Sequence, residues 1–168
     1  MTSHRPETDL EKIKELAVLR EDENQRFRAF LKNRNVHKID LLVHRLNEEI
    51  APRIDCTACG NCCKNLSPYL TKEDLKHLAE GTKLPVEELI ANYTETDDYG
   101  LSLKHLPCCF LKDNKCSIYQ HRPETCSSFP HLDKPDFNSR ARRTFDNYSI
   151  CPIIFNVIER LKVEMHFE

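Results

Sequence analysis

Glycine is scarce in this 168-residue chain: there are three, Gly60, Gly81 and Gly100, far apart. They form no G-x-G-x-x-G and no G-x-x-x-x-G-K-[ST]. That excludes the Gly-rich phosphate cradles of Rossmann dehydrogenases and P-loop ATPases, and the usual Gly-rich site of Rossmann-like methyltransferases. Tryptophan is absent, so platforms for stacking nucleic-acid bases are sparse. Neither charge sign dominates. The net charge of −2 gives no pull toward nucleic acid or an anionic membrane surface. The compact basic patch Arg140, Arg142 and Arg143 therefore reads as a solvated face. No run of eighteen or more apolar residues is present, so no membrane-spanning helix is expected. The opening Met1-Thr2-Ser3-His4-Arg5-Pro6-Glu7 is polar and has no signal-peptide pattern, so a cytoplasmic protein is expected.

Cysteine, in contrast, is abundant. Cys56-Thr57-Ala58-Cys59-Gly60-Asn61-Cys62-Cys63 sets four thiols in a short run, followed by Cys108, Cys109, Cys116, Cys126 and Cys151. Nine is an odd number and the expected compartment is reducing, so metal binding outweighs a disulfide framework. A Cys-x-x-Cys step lets a tight turn present both sulfurs to one ion. Soft thiolates favour zinc, copper(I) or iron–sulfur clusters over magnesium or calcium. The adjacent side chains of Cys62 and Cys63 are expected to diverge. They would then serve two metals or different corners of a cluster, which implies a multinuclear or two-site centre.

The length fits one ordinary domain with an appended helical arm. Residues 1–53 read as that arm, packing on the core. Thr8 is the candidate N-cap, with Glu11 three residues later. Leu10, Ile13 and Leu16 begin an apolar stripe, which Phe27, Phe30 and Leu31 resume. Asn33-Arg34-Asn35 is a break or exit turn, and Ile39, Leu42 or Val43, Leu46 and Ile50 form a second stripe before Pro52. The charged positions between these read as a solvated helix face, with a protein-partner surface as the alternative. Residues 54–168 read as a cysteine-cluster metal-binding domain. Within it, Thr71-Lys72-Glu73-Asp74 opens a helix that Gly81 ends, and Pro85 opens another. Leu101-Ser102-Leu103 alternates like a short strand. Residues 110–119 read as a β-hairpin turning at Asp113-Asn114, with Cys108 and Cys116 on either side. Pro123 opens a short helix holding Cys126. Residues 130–146 are expected to be irregular. Ile153, Ile154, Val157, Ile158 and Leu161 mark a final helix over 152–164, expected to pack on residues 39–50. The fold class is thus mainly α, a small α+β: an irregular, metal-centred, cysteine-rich domain with a short hairpin and an N-terminal helical arm.

Three elements together carry a resemblance: Cys56-x-x-Cys59-Gly60-x-Cys62-Cys63; Pro107-Cys108-x-Phe110-Leu111; and Cys116-Ser117-Ile118-Tyr119 followed by Arg122-Pro123-x-x-Cys126-x-x-Phe129-Pro130. From about Ile54 to Cys151 the chain resembles the YkgJ-type zinc- or iron-chelating family of CxxCxxCC proteins. The resemblance implies eight cysteine ligands: Cys56, Cys59, Cys62, Cys63, Cys108, Cys116, Cys126 and Cys151. Cys109 departs from the family pattern and is expected to be a small packed residue. A related domain occurs in flagellin lysine-N-methylases, but methylase activity is not carried over to this chain.

His105, His121 and His131 lie near cysteines and read as surface or supporting residues, because eight thiolates leave little need for imidazole. Arg122 reads either as a supporting group that hydrogen-bonds to the thiolate cluster or offsets its charge, or as a structural helix-end residue. The expected function is a metal-binding protein whose multi-cysteine centre holds zinc or iron, an iron–sulfur cluster included, for a structural or metal-handling purpose. Two other classes stand beside it. One is an iron–sulfur redox protein or enzyme component. The other is a helical interaction protein stapled by metal. Metal ions are the expected partners, with a protein partner on the arm as the further one; no membrane and no nucleic acid are expected.

Overall fold

The structure is a computed structural model and describes residues 5–167. It is mainly α with a small β part. Its contacts divide the chain into two compact units, residues 1–54 with 130–168 and residues 55–129. The C-terminal helix, placed by the sequence with the cysteine segment, therefore groups with the N-terminal helices. Among the described residues no helix is long and apolar enough to cross a membrane.

The first unit begins with α1 (Leu10–Leu19), α2 (Glu21–Lys32) and α3 (Val36–Ile50). Asp9, not Thr8, caps α1. Its carboxylate accepts from the N–H groups of Glu11 and Lys12 at 3.0 and 3.2 Å, the N-cap role that short acceptor side chains fill. A break at Arg20 separates α1 from α2, and Arg20 ion-pairs with Glu159 in the same unit. Asn35 caps α3 as the break at 33–35 implies. The apolar stripes bury Ile13, Phe27, Leu31, Ile39, Val43 and Leu46.

The second unit starts with two very short helices, α4 (Cys56–Cys59) and α5 (Asn61–Asn65). α6 (Lys72–Thr82) opens on the Thr71–Asp74 capping box, and α7 (Val86–Tyr93) follows Pro85. Gly81 does not end α6. The helix runs one residue further and closes on Lys83 in the left-handed region. Gly81 is required for space instead: a Cβ there would stand 2.7 Å from the His121 Cβ. β1 (Thr94–Asp97) pairs antiparallel with β2 (Gly100–Leu103), and β3 (Leu111–Lys112) with β4 (Lys115–Cys116). The second hairpin turns at Asp113 and Asn114, both at positive φ, as a two-residue primed turn demands. α8 (Glu124–Ser127) follows Pro123. Leu78, Leu89, Leu103, Phe110 and Ile118 form the small core, with Cys108, Cys109 and Cys116 packed against it.

The chain then returns to the first unit. α9 (Phe137–Asp146) occupies much of the stretch expected to be irregular. Its first N–H groups are met from afar: Asp40 accepts from the N–H of Asp136 at 2.8 Å and of Phe137 at 2.9 Å. Arg140 fixes the preceding loop by donating to the carbonyls of His131, Lys134 and Pro135, so one member of the basic patch is a loop clamp. α10 (Pro152–Glu164) is the expected final helix, and it packs on α3. Buried Lys162 pairs with Glu23 and Glu159 at 2.9 and 2.8 Å, a satisfied arrangement for a charge withdrawn from water.

Candidate metal centre

Seven of the eight expected ligands, all but Cys151, lie in the unit 55–129. Local chemistry explains how separate segments bring them together. Asp55 caps α4, accepting from Thr57 N–H at 2.9 Å and from Ala58 N–H at 3.3 Å. Gly60 then reverses the chain at φ 58, and a Cβ there would stand 2.9 Å from the Asn114 carbonyl. A residue with a side chain would be strained by the left-handed backbone and would strike the hairpin turn. Glycine thus lets the Cys56–Cys63 run lie against the hairpin, and α4 packs on β4, which carries Cys116. A second stitch is the Cys108 N–H, which donates to the Cys63 carbonyl at 2.8 Å.

The third stitch holds the segment bearing Cys126. Asp74 is buried, and its Oδ2 accepts from both the N–H and hydroxyl of Thr71 while its Oδ1 accepts from Glu124 N–H at 2.7 Å. Burial on its own would raise the Asp74 pKa. The Thr71 and Glu124 donors outweigh it and hold the carboxyl below its usual 3.8. The Thr71–Asp74 cap is legible in the sequence, whereas its bond to Glu124, 50 residues on, has no local signal.

The sulfurs fall into an inner set and a flanking pair. Cys63, Cys108, Cys116 and Cys126 each lie within electrostatic reach of the other three. The Cys62 sulfur stands 4.0 Å from that of Cys63. The expected divergence of these neighbours is therefore corrected: α5 turns both sulfurs close together. With a Zn–S bond of ~2.3 Å, two thiolates on a tetrahedral ion are about 3.8 Å apart, so 4.0 Å is compatible with one ion holding both. Cys56 and Cys59 interact with each other, on α4. Cys109 packs on the small core as expected, and its thiol also hydrogen-bonds to the Cys108 sulfur. Among the described residues no three His, Cys, Asp or Glu side chains already converge as ligands of one ion, and no disulfide joins the cysteines.

The thiols are not equivalent. Cys108 is pulled down to about 6, chiefly by the Cys109 hydrogen bond and then by the N–H groups of Phe110 and Leu111, against the cost of burial. Burial pushes Cys126 up to about 12, helped by repulsion from Cys63, Cys108 and Cys116. Cys63 is raised by its bond to Cys62 and by burial. Burial also raises Cys56 and Cys116. Clustered anions that raise one another are unfavourable alone and become favourable around a cation.

Arg122 is the positive group among them. It lowers the cost of charging Cys56, Cys63, Cys116 and Cys126. Its guanidinium carbon lies 3.7 Å from the centroid of the Tyr119 ring. Its Nε is buried and has no hydrogen-bond partner. The donor set therefore fits a soft cation: sulfur ligands, N–H groups aimed at sulfur and an unused cationic donor. Of the histidines, His105 is exposed. His121 lies against α6 with its Nδ1 3.7 Å from Glu80. His131 belongs to the first unit.

Residues 55–148 match the model of the CxxCxxCC family, described as "Putative zinc- or iron-chelating domain". The chain belongs to the CxxCxxCC family. The match spans more than half of the chain and contains all eight cysteines of the second unit, Cys109 included; Cys151 lies past its end. An uncharacterized protein of Methanocaldococcus jannaschii is 37% identical over 81 residues, 45% of this chain and 43% of that protein. This CxxCxxCC chain thus spans less than half the length of that relative. No solved structure matches it. Metal binding is the property that the family description supports.

Proposed function

We propose that this chain binds zinc or iron through Cys56, Cys59, Cys62, Cys63, Cys108, Cys116 and Cys126, and that the metal holds residues 55–129 in their fold. The observation that carries this reading is that cysteine-bearing stretches far apart in sequence are joined in one small unit: Cys108 N–H donates to the Cys63 carbonyl at 2.8 Å, α4 with Cys56 and Cys59 packs on β4 with Cys116, and Cys126 lies within electrostatic reach of Cys63, Cys108 and Cys116. The unit around them is poor in other support. Two of its helices have four residues and one has five, two strands have two residues, and its core cluster has five buried apolar side chains. A metal that binds only the folded form contributes its binding free energy to folding, and it closes long loops that a small core closes poorly. Bound there, zinc supplies a closed structural crosslink; iron, as an iron–sulfur cluster, supplies electron transfer.

Cys151 is proposed as the eighth ligand on the family resemblance. It is the buried N-cap residue of α10. A reducing compartment suits the set, since metal-binding thiolates must stay reduced. Anaerobic purification, elemental analysis and a visible spectrum test the proposal together. Zinc or iron should co-purify at more than one atom per chain. Zinc leaves the protein colourless, whereas an iron–sulfur cluster absorbs in the visible and bleaches on reduction. A metal-free chain, fully folded under reducing conditions, would overturn the reading.

A further inference from the structure

We infer that Arg122 is the positioning cation of the thiolate centre, donating its Nε–H to a metal-bound sulfur of the Cys63, Cys108, Cys116 and Cys126 set. The inference rests on the metal reading above and adds a specific residue to it. A buried N–H without an acceptor is rare in folded proteins and asks for a reason. Here the orphaned atom belongs to a guanidinium that cannot shed its charge. The Tyr119 ring, 3.7 Å from the guanidinium carbon, stacks on the flat face of the group. Stacking occupies that face and leaves the in-plane N–H groups to find acceptors. Among the described residues, Arg122 is the cation felt by Cys56, Cys63, Cys116 and Cys126 alike. Arg122 also directly precedes Pro123, so it sits in extended backbone at the entry to α8, with φ −67 and ψ 149. Its position is set by the same turn that delivers Cys126.

The charge balance points the same way. Four thiolates around one divalent ion leave a net charge of −2, and a half-buried anion of that size needs a compensating cation or several donors. A lysine in place of Arg122 would supply the charge but not the planar Nε–H beside a stacked ring. A glutamine would supply a donor but no charge. These two substitutions therefore separate the two parts of the role.

The test uses the full chain with zinc alone, and cobalt(II) as a spectroscopic stand-in for zinc. Wild type, Arg122→Gln and Arg122→Lys are loaded anaerobically. Zinc affinity is read by competition with a chromophoric chelator, the sulfur-to-cobalt charge-transfer band by absorption, and folding by circular dichroism. Arg122→Gln is expected to weaken zinc binding by roughly 10–100-fold, the usual effect of losing a group that supports a ligand. It should also move the charge-transfer band while the helical signal is retained. Arg122→Lys should recover most of the affinity and still show a displaced band. A purely structural arginine would leave the band of the folded protein in place. Wild-type affinity together with an unmoved band in Arg122→Gln overturns the inference and leaves the metal reading intact. A wild type that takes up neither zinc nor cobalt overturns both. If Arg122→Gln does not fold, Arg122→Lys decides: a displaced band upholds the inference and an unmoved one overturns it.

Discussion

The two units of the chain are built on different physical terms. Residues 1–54 and 130–168 form long helices whose apolar stripes are fully withdrawn from water, with Phe27, Val43, Leu46, Val157, Ile158 and Leu161 among the deeply buried side chains. Each such side chain contributes about 1.5–3 kcal/mol by leaving water, and the sum is a core of the ordinary kind. Residues 55–129 have a small apolar core with the half-buried Cys108, Cys109 and Cys116 packed against it. There the chain is pinned by individual hydrogen bonds, such as Cys108 to Cys63 and Glu124 to Asp74. The contrast teaches that one chain can fold by burial in one region and be held in another by a small core and individual hydrogen bonds, where the proposed metal would contribute most.

Substitutions in each unit should break that contrast in opposite ways. The largest effect is expected from Cys63→Ser, which removes the sulfur that neighbours both Cys62 and the inner set. Most bound metal should be lost by elemental analysis. Cys151→Ser should lower metal content less. Next, Leu46→Ala empties a fully buried position in α3 and should cost roughly 2–5 kcal/mol in denaturant unfolding, with metal content of the folded protein unchanged. Loss of metal from folded Leu46→Ala would erase the distinction between the units.

A smaller effect is expected at Asp74. Asp74→Ala removes a cap and leaves Glu124 N–H without its acceptor, a cost of about 1–2 kcal/mol at neutral pH. Because the folded carboxyl is held below its usual 3.8, its stabilisation is complete above the unfolded value and is lost as pH falls through the folded one. The stability gap between wild type and Asp74→Ala should therefore be constant near neutrality and shrink below pH 3.8. A gap that persists unchanged in that acid range would contradict the assignment. Cys109→Ala should have the least effect: unchanged metal content and about 1 kcal/mol or less in stability, since its thiol bonds to Cys108 and packs on the small core.

Much of this was legible in the residues. The helix at 152–164, the Thr71 cap, the Asp113–Asn114 hairpin and the break at Asn33-Arg34-Asn35 all follow from local periodicity and turn chemistry. What was not legible depends on distant partners. The start of α9 has no side-chain cap of its own, and Asp136 stands at φ 58; it is the Asp40 carboxylate, remote in sequence, that satisfies Asp136 and Phe137. The end of α6 passes Gly81 because His121 needs the space, not because the backbone needs a left-handed residue there. At the site, the spacing of the thiols pointed to metal. The closeness of Cys62 and Cys63, and the engagement of Cys109 with Cys108, depend on helix and hairpin geometry that spacing does not encode.

Hydrogen–deuterium exchange on the reduced, metal-loaded chain, with and without a strong chelator, tests the central claim most directly. Removing the metal should raise exchange across α4, α5, the second hairpin and α8, while α2 and α3 keep their protection. Equal protection of residues 55–129 in both states, with metal loss verified, would contradict the account.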